Sequence, residues 1–160
     1  MLFRSNSLSF SGTGSVSVTA SQDGDSNYLA ASPVTQSFEV TKAAASITLS
    51  SLVHSYDGSP HGAVATTTPA GLAVTFSYSG TGSTVYGPSA EAPSAAGTYQ
   101  VNASINDPLY WGGAAATLTI AKTSQNLNFP AIGNSLTTAT VNLTATASSG
   151  LAPTYAVSND

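Results

Sequence analysis

The sequence predicts an all-β protein built from small antiparallel β-sandwich modules in tandem, with one whole module and two partial ones. Apolar and polar residues alternate with a period of two through almost every segment, which is the pattern of half-buried strands. No window has the i, i+3, i+4, i+7 apolar spacing of a helix at useful length. The sequence also resembles itself at a spacing of roughly 80 residues, which is typical of a modular array.

Four pairs of similar segments define this repeat. Its register divides the chain into the C-terminal part of one module (1–42), a whole module (43–122) and the N-terminal part of the next (123–160). The two partial segments together have the length of one period, so we expect both termini to fall within an array. The matching segments are residues 14–20 and 97–103, 38–42 and 118–122, 46–49 and 126–129, and 70–76 and 149–155.

Each predicted strand is rich in Thr, Val, Tyr, Ile or Ala and is bounded by turn residues. The connection at 79–96 is the exception, because a Gly/Ser/Pro-rich segment of this length is often functional or mobile. The predicted strands lie at 15–20, 46–49, 74–78, 99–105, 116–120 and 141–147, and the turns at 56–60, 69–71 and 106–108.

The segment before the longest predicted strand is similar to the entry to an immunoglobulin-type F strand. In that strand a tyrosine stands two residues before a buried position, here Tyr99 before Val101, which takes the place of a cysteine. Five or six short strands in roughly 80 residues are also typical of a small sandwich. We therefore predict Ig-like modules, with a β-grasp-like β-rich module as the alternative.

Charge and composition exclude several classes of partner. Only 6% of the residues are charged and 41% are hydrophobic, which is not the composition of a disordered chain. The three basic residues, Arg4, Lys42 and Lys122, cannot form a patch that neutralises phosphates. No apolar run approaches the roughly 20 residues that span a bilayer. We expect neither nucleic-acid binding nor membrane insertion in this segment.

The sequence predicts no enzyme and no cofactor. Its seven acidic residues are scattered, and it contains no nucleophile elbow, no His-Glu-x-x-His motif and no phosphate loop with a lysine. The chain has no cysteine, which rules out disulfides and thiolate metal sites.

One segment has the alternating oxygen ligands that open a calcium loop, at Asp23, Asp25 and Asn27. An EF-hand loop also needs glycine at its sixth position and glutamate at its twelfth, and here Tyr28 and Val34 stand there. The pattern therefore favours a polar turn before a core tyrosine, and these three residues remain candidate metal ligands only.

A second polar group, His54, Asp57 and His61, lacks a fourth zinc ligand. We expect these residues to lie on an exposed hairpin.

The aromatic residues include two candidates for ligand contact. Tyr110 aligns with Tyr28 in the other repeat, so we expect it to fill the core. Trp111 replaces Leu29 and is the only tryptophan, for which a packing role is favoured over a glycan platform. Tyr86, in the 79–96 connection, is the other exposed candidate.

Residues 43–122 resemble the MBG or YDG-type tandem repeats of large bacterial surface proteins, a bacterial Ig-like group. The resemblance implies secretion to the bacterial surface or the extracellular space, repeat arrays and adhesin or stalk roles, and it supplies no catalytic residues. The motifs that carry it are Tyr-Asp-Gly-Ser-Pro at 56–60, Thr-Thr-Thr-Pro-Ala-Gly-Leu at 66–72, Ala-Gly-Thr-Tyr at 96–99, the turn at 107–110 and Ala-Thr-Leu-Thr-Ile-Ala-Lys at 116–122.

The favoured function is a stalk or spacer module whose partners are adjacent repeats of the same chain. One alternative is a module that binds glycan or a host surface protein through the 79–96 connection and Trp111. Another is matrix assembly, in which partial modules pair in trans through exposed strand edges.

Overall fold

The computed structural model describes residues 7–136 and 139–158, and in these residues it contains strands and no helix. The all-β prediction is confirmed, and the strands form several small sheets. The chain divides into two compact units, Met1–Ala121 and Lys122–Asp160. The strands are β1 (Gly14–Gln22), β2 (Ala31–Val40), β3 (Ala43–Ala44), β4 (Ser46–Ser50), β5 (Val53–Ser55), β6 (Val64–Thr68), β7 (Val74–Gly80), β8 (Gly97–Ile105), β9 (Tyr110–Trp111), β10 (Gly113–Ala121), β11 (Leu127–Asn128) and β12 (Thr146–Ala147).

The largest sheet has four strands in the order β5-β10-β8-β7. Strand β8 pairs antiparallel with both β7 and β10, and β5 pairs parallel with β10. Along β8, Tyr99, Val101 and Ala103 are buried, while Asn102 and Ser104, which point to the other face, are exposed. The period-two pattern of the sequence therefore places the core on one face of this sheet.

The core is a cluster on β7, β8 and β10, formed by Tyr78, Tyr99, Val101, Leu118 and Ile120. Burying one aliphatic side chain of this size contributes about 1.5–3 kcal/mol. A separate two-stranded sheet, β4 with β6, supplies Leu49, which packs against this cluster.

Near the start of the chain, β1 pairs antiparallel with β2 in a long hairpin. On one face, hydroxyls pair across the strands, with Ser17 Oγ 2.7 Å from Ser37 Oγ. The other face carries apolar side chains that stay largely accessible, including Val18 at 37% and Phe38 at 41%. Among the residues that the structure describes, β1 and β2 pair only with each other, so no third strand extends this sheet.

The hairpin has the same pairing register as β8 with β10. From Gly14–Val40 to Ala20–Val34, each residue pair of the hairpin has a counterpart in the central sheet at the repeat spacing. The corresponding pairs are Gly14–Val40 and Gly97–Ile120, Val16–Phe38 and Tyr99–Leu118, and Val18–Gln36 and Val101–Ala116.

In the second unit, β11 pairs antiparallel with β12, with Leu127 opposite Ala147. This matches the pairing of Ile47 with Thr67 between β4 and β6. The predicted strand at 141–147 is wrong over most of its length, because only Thr146–Ala147 is extended and paired. Alternation predicts a half-buried strand, but a strand also needs a neighbour, and the described part of this unit contains only this two-stranded sheet.

Within residues 7–136 and 139–158, no helix has the length and apolar character required to cross a membrane.

Candidate functional site

Several hydrogen bonds join the end of the hairpin to the central part of the first unit, at a segment that we call the joint. Only residues 41 and 42 separate the end of β2 from the start of β3. The ammonium of Lys42 donates to the carbonyl of Asp107 at 2.7 Å. The backbone amide of Ala43 donates to the carbonyl of Leu109 at 2.8 Å, and strand β3 then pairs with β9. These contacts hold residues 42–44, which follow the hairpin, against the turn and short strand at residues 107–111.

That turn is itself held by an aspartate. The Asp107 carboxylate accepts hydrogen bonds from the backbone amides of Leu109 at 2.8 Å and Tyr110 at 3.1 Å. This is an Asx turn, in which a short acidic side chain organises the backbone after it. The chain also passes close to β3 here, because a Cβ added to Gly112 would overlap the carbonyl oxygen of Ala45. A side chain at position 112 would therefore push the two segments apart.

The candidate calcium ligands form the equivalent turn of the hairpin. The Asp25 carboxylate accepts from the amides of Asn27 at 2.8 Å and Tyr28 at 3.0 Å, as Asp107 does in the central module. Asp23 and Asn27 are exposed. Among the residues that the structure describes, no group of three His, Cys, Asp or Glu side chains is arranged to hold a metal. The oxygen of Asp25 serves a backbone turn.

The expectation of a core tyrosine after this turn is wrong for the hairpin. Tyr28 is 76% exposed, whereas its counterpart Tyr110 is half-buried. The shared turn therefore does not by itself determine the environment of the tyrosine.

Trp111 lies on β9, beside the joint, and is 61% exposed. Its exposure differs from the packing role that the sequence favoured. The short strand β9 pairs only with β3, so its backbone is held while the indole projects from a small edge sheet. Leu109, two residues earlier, is also partly exposed at 38%. Leu109 and Trp111 are thus two accessible apolar side chains near the joint, and we call these two residues the joint surface.

Tyr86 has a different environment. Its ring meets that of Tyr99 edge-to-face at 5.6 Å between centroids, and its hydroxyl donates to the carbonyl of Glu91 at 2.9 Å. The side chain is half-buried against the core cluster. Much of the Tyr86 ring therefore packs against the core, and only part of it is accessible to a ligand.

The long connection that contains Tyr86 is fastened to the central sheet at several points. Tyr78 and Ser89 exchange backbone hydrogen bonds of 2.8 and 3.0 Å, which makes an isolated bridge. The Thr98 amide donates to the hydroxyl of Thr84 at 3.2 Å, and Pro93 is fully buried. The sequence indicated that a connection of this length is often functional or mobile. In the structure its polar groups bond the edge strand β7 and the start of β8.

The two histidines come together in a way that the sequence did not predict. The rings of His54 and His61 stack at 4.5 Å between centroids, and both side chains are half-buried. His54 Nε2 lies 2.9 Å from the Ser51 carbonyl, and His61 Nε2 lies 2.9 Å from the Asp57 carboxylate. The stack links β5 to the turn after it.

Asp57 also accepts a hydrogen bond from the Ser59 amide at 2.8 Å, and this bond is the main cause that lowers the pKa of Asp57 below its usual value. Contact with His61 lowers the pKa of Asp57 further. A lowered pKa in the folded state contributes stability above the unfolded pKa, and this contribution is lost as pH falls through the folded pKa. Because the carboxylate is exposed, water screens the effect.

The most deeply buried polar contact of the central module belongs to Tyr99. Its ring is fully buried, and its hydroxyl donates to the carbonyl of Ala95 at 2.7 Å. A hydroxyl that bonds backbone a few residues upstream is the arrangement known as a tyrosine corner. Burial raises the pKa of Tyr99 above its usual value, and the nearby Tyr86 adds to this.

We predict that Tyr99→Phe lowers the free energy of unfolding by about 0.5–1.5 kcal/mol, because the Ala95 carbonyl loses its donor. The raised pKa also means that the native state keeps the Tyr99 proton longer than the unfolded chain does. Stability of the wild type should therefore fall as pH rises above about 10. Urea unfolding at neutral and alkaline pH tests both points. The phenylalanine variant should lose less stability at alkaline pH, and an unchanged pH slope would contradict this explanation.

The repeat register predicts module boundaries after residues 42 and 122, but it did not predict the contact made by Lys42. The available signal was the position of a lysine directly before Ala43 in a chain with only three basic residues. Its acceptor is a backbone carbonyl, and no side-chain motif reveals which carbonyl a lysine will reach.

A family model for the MBG domain matches residues 45–124, which is half of the chain. No curated protein matches the sequence significantly. No solved structure does so either. Since the match covers half of the chain, including the four-stranded sheet, the core cluster and the Asp107 turn, the chain belongs to the MBG domain family.

Proposed function

We propose that this chain is a structural spacer segment of a bacterial surface or secreted protein, in which tandem Ig-like modules hold a binding domain away from the cell. MBG domains are structural repeat domains typical of extracellular surface proteins. The proposed modules are those of the repeat register, 1–42, 43–122 and 123–160. A spacer needs no catalytic group, and the polar residues described above serve turns, the joint and the tyrosine corner.

The observation that carries the proposal is the joint. A spacer transmits length only when consecutive modules keep a fixed orientation, since a flexible connection would allow the array to fold back. Here two connecting residues, the Lys42 to Asp107 contact and the pairing of β3 with β9 restrict that motion. A strand of nine or ten residues spans about 30 Å. Each module then extends the array by a length of this order.

Two further observations support tandem modules. The pairing register of β1 with β2 repeats that of β8 with β10, and that of β11 with β12 repeats that of β4 with β6. The Asx turns at Asp25 and Asp107 bond the same two positions after each aspartate. The Tyr99 hydroxyl bond and the Leu49 layer favour an Ig-like sandwich over a β-grasp-like module.

Removal of residues 43–122 from the whole surface protein tests the spacer function. We expect the extended length measured by electron microscopy to shorten by about 30 Å or more, while the affinity of the distant binding domain stays constant. A control that replaces this segment with another rigid module of similar length should restore the length. Unchanged reach after the deletion, or loss of affinity with the replacement module, would contradict the proposal.

A second candidate function rests on the joint surface. An exposed indole beside an accessible leucine offers a face on which a sugar ring can stack. On this alternative, Trp111→Ala abolishes binding on a glycan array while Trp111→Phe keeps part of it. Both variants should retain the circular dichroism spectrum, because the side chain is mostly outside the core. An array on which the wild type binds no glycan would exclude this function.

A further inference from the structure

We propose that the peptide bond between Asp107 and Pro108 is a self-cleavage site, at which the Asp107 carboxylate attacks its own backbone carbonyl and Lys42 assists. This inference goes beyond the spacer function, which needs no reaction. The substrate is a peptide bond of the chain itself, and the other reactant is water.

The first observation is the chemistry of this bond, which is the only aspartyl-prolyl bond in the sequence. The nitrogen of proline carries no hydrogen in the peptide, and on cleavage it leaves as a secondary amine that takes up a proton readily. Aspartate supplies a carboxylate whose attack on the carbonyl carbon of the same residue closes a five-membered ring. Well-oriented intramolecular nucleophiles of this kind have effective concentrations of about 10⁵–10⁸ M. The sequence thus contains one bond with both a built-in nucleophile and a good leaving group.

The turn holds the nucleophile on the correct side of the residue. Oδ1 of Asp107 accepts hydrogen bonds from the amides of Leu109 at 2.8 Å and Tyr110 at 3.1 Å. Both amides follow the Asp107–Pro108 bond, so they hold the carboxylate on the Pro108 side of Asp107. Since Oδ1 is engaged in the turn, Oδ2 is the oxygen that attacks. Pro108 is exposed, so solvent can reach its nitrogen.

Lys42 supplies the group that such an attack needs next. Its ammonium donates to the backbone carbonyl oxygen of Asp107 at 2.7 Å, and this is the carbonyl of the Asp107–Pro108 bond. Attack on the carbon makes this oxygen negatively charged, and a hydrogen bond from a cation becomes stronger as that charge develops. The lysine is held in place because the amide of Ala43 donates to the carbonyl of Leu109 at 2.8 Å. The joint therefore positions a charged donor at the atom where the negative charge appears.

The reaction balances without a cofactor or an oxidant. Oδ2 of Asp107 forms a bond to the carbonyl carbon, and the carbonyl electron pair moves to the oxygen that Lys42 contacts. When this oxyanion collapses, the carbon–nitrogen bond breaks, and the nitrogen of Pro108 keeps the electron pair and takes a proton from solvent. The resulting cyclic anhydride is opened by one water molecule. Its products are the side-chain carboxylate and a new C-terminal carboxylate on Asp107.

The strand pairing predicts what happens to the two fragments. The cut lies between β8 and β9, but β9 pairs with β3, and β10 pairs with both β8 and β5. Fragments 1–107 and 108–160 should therefore stay associated after cleavage, with the new carboxylate of Asp107 beside the Lys42 ammonium. The central module would then be continuous in its sheets but divided in its chain.

The first measurement compares the folded and the unfolded chain. Both are incubated at about pH 4, where an ordinary aspartate is partly ionised, with guanidinium added only to the second. Mass spectrometry under denaturing conditions should show fragments 1–107 and 108–160. Cleavage should be faster in the folded chain by about tenfold or more, the factor for one hydrogen bond from a charged donor. Light scattering of the folded chain should stay at 15.9 kDa, because the fragments remain paired.

Substitutions separate the nucleophile from the assisting group. Asp107→Asn keeps an oxygen acceptor for the turn but has no carboxylate, so it should give no fragments. Lys42→Met should slow cleavage of the folded chain by about tenfold or more, with no effect on the unfolded chain. Lys42→Arg keeps a charged donor and should retain much of the rate. Lys122→Met makes the same change of net charge at the other lysine, and it should cleave like the wild type.

Circular dichroism at the pH of the assay verifies that each variant is folded. A folded chain that stays intact, equal rates in the folded and unfolded chains, or a wild-type rate in folded Lys42→Met would overturn the proposal. So would cleavage of Asp107→Asn at the same bond. The spacer function does not require this reaction, because the length lost when residues 43–122 are removed is independent of it. The two proposals therefore fail separately.

Discussion

Leu118→Ala is expected to lower the free energy of unfolding by about 2–5 kcal/mol. Leu118 is fully buried at the centre of the core cluster, opposite Tyr99 on the neighbouring strand. Truncation removes its packing contacts and leaves a cavity that β-strands on both sides cannot collapse to fill, because their register is fixed by backbone hydrogen bonds. Since small domains are only marginally stable, a loss of this size should unfold a large fraction of the central module at 37 °C.

The control is the same substitution at an exposed position. Leu29 is 95% exposed in the turn of the hairpin, so Leu29→Ala should change the free energy of unfolding by no more than about 0.5 kcal/mol. Guanidinium unfolding of both variants, monitored by tyrosine fluorescence, gives the comparison. Similar losses at the two positions would mean that the core does not lie where the structure places it.

Gly87→Ala is expected to destabilise the protein by about 3 kcal/mol. Gly87 has φ +62°, where a side chain is strained, and an added Cβ would overlap the carbonyl oxygen of Tyr78. That carbonyl accepts the hydrogen bond from Ser89 in the bridge that fastens the long connection. The variant thus combines about 1–2 kcal/mol of left-handed strain with the loss of one or two hydrogen bonds.

Gly82→Ala separates the two causes. Gly82 has φ +61° in the same connection, but nothing lies within 4 Å of an added Cβ. Gly82→Ala should lower the free energy of unfolding only by the strain of about 1–2 kcal/mol. The additional loss of stability in Gly87→Ala then measures the crowding at the Tyr78 carbonyl. Thermal unfolding of the two variants, with hydrogen exchange of the Tyr78 amide, makes the measurement. Equal losses would show that the bridge contributes nothing.

Much of the fold could be predicted, because alternation and turn residues are local signals. The strand that contains Tyr99 and Val101 followed directly from period-two alternation, and the turn at Asp107 from its Asn-Asp-Pro sequence. Alternation also predicted a strand over residues 141–145, where the structure has none. Alternation records which residues are suited to half-burial, whereas pairing depends on a neighbour that lies elsewhere in sequence.

The candidate site was less predictable. Exposure of Trp111 depends on the small size of the β3–β9 sheet, and packing of Tyr86 depends on the backbone bridge at Tyr78. The exposure of Trp111 and the packing of Tyr86 both depend on tertiary contacts, which the composition of the sequence does not reveal. The sequence marked Asp25 as a possible cation ligand because oxygen spacing in a metal loop and in an Asx turn look alike before the backbone amides are placed.

The central claim, a rigid joint at Lys42, is tested most directly by spin-label distances in this cysteine-free chain. Labels at Glu39→Cys and Asn102→Cys span the joint, and labels at Thr66→Cys and Asn102→Cys lie within the central module and set the reference width. We predict one narrow distance distribution across the joint, as narrow as the reference. Lys42→Gly with Ala43→Gly should broaden it, because the Lys42 to Asp107 contact is lost and β3 is weakened. A wild-type distribution already as broad as that of the glycine variant would contradict the claim.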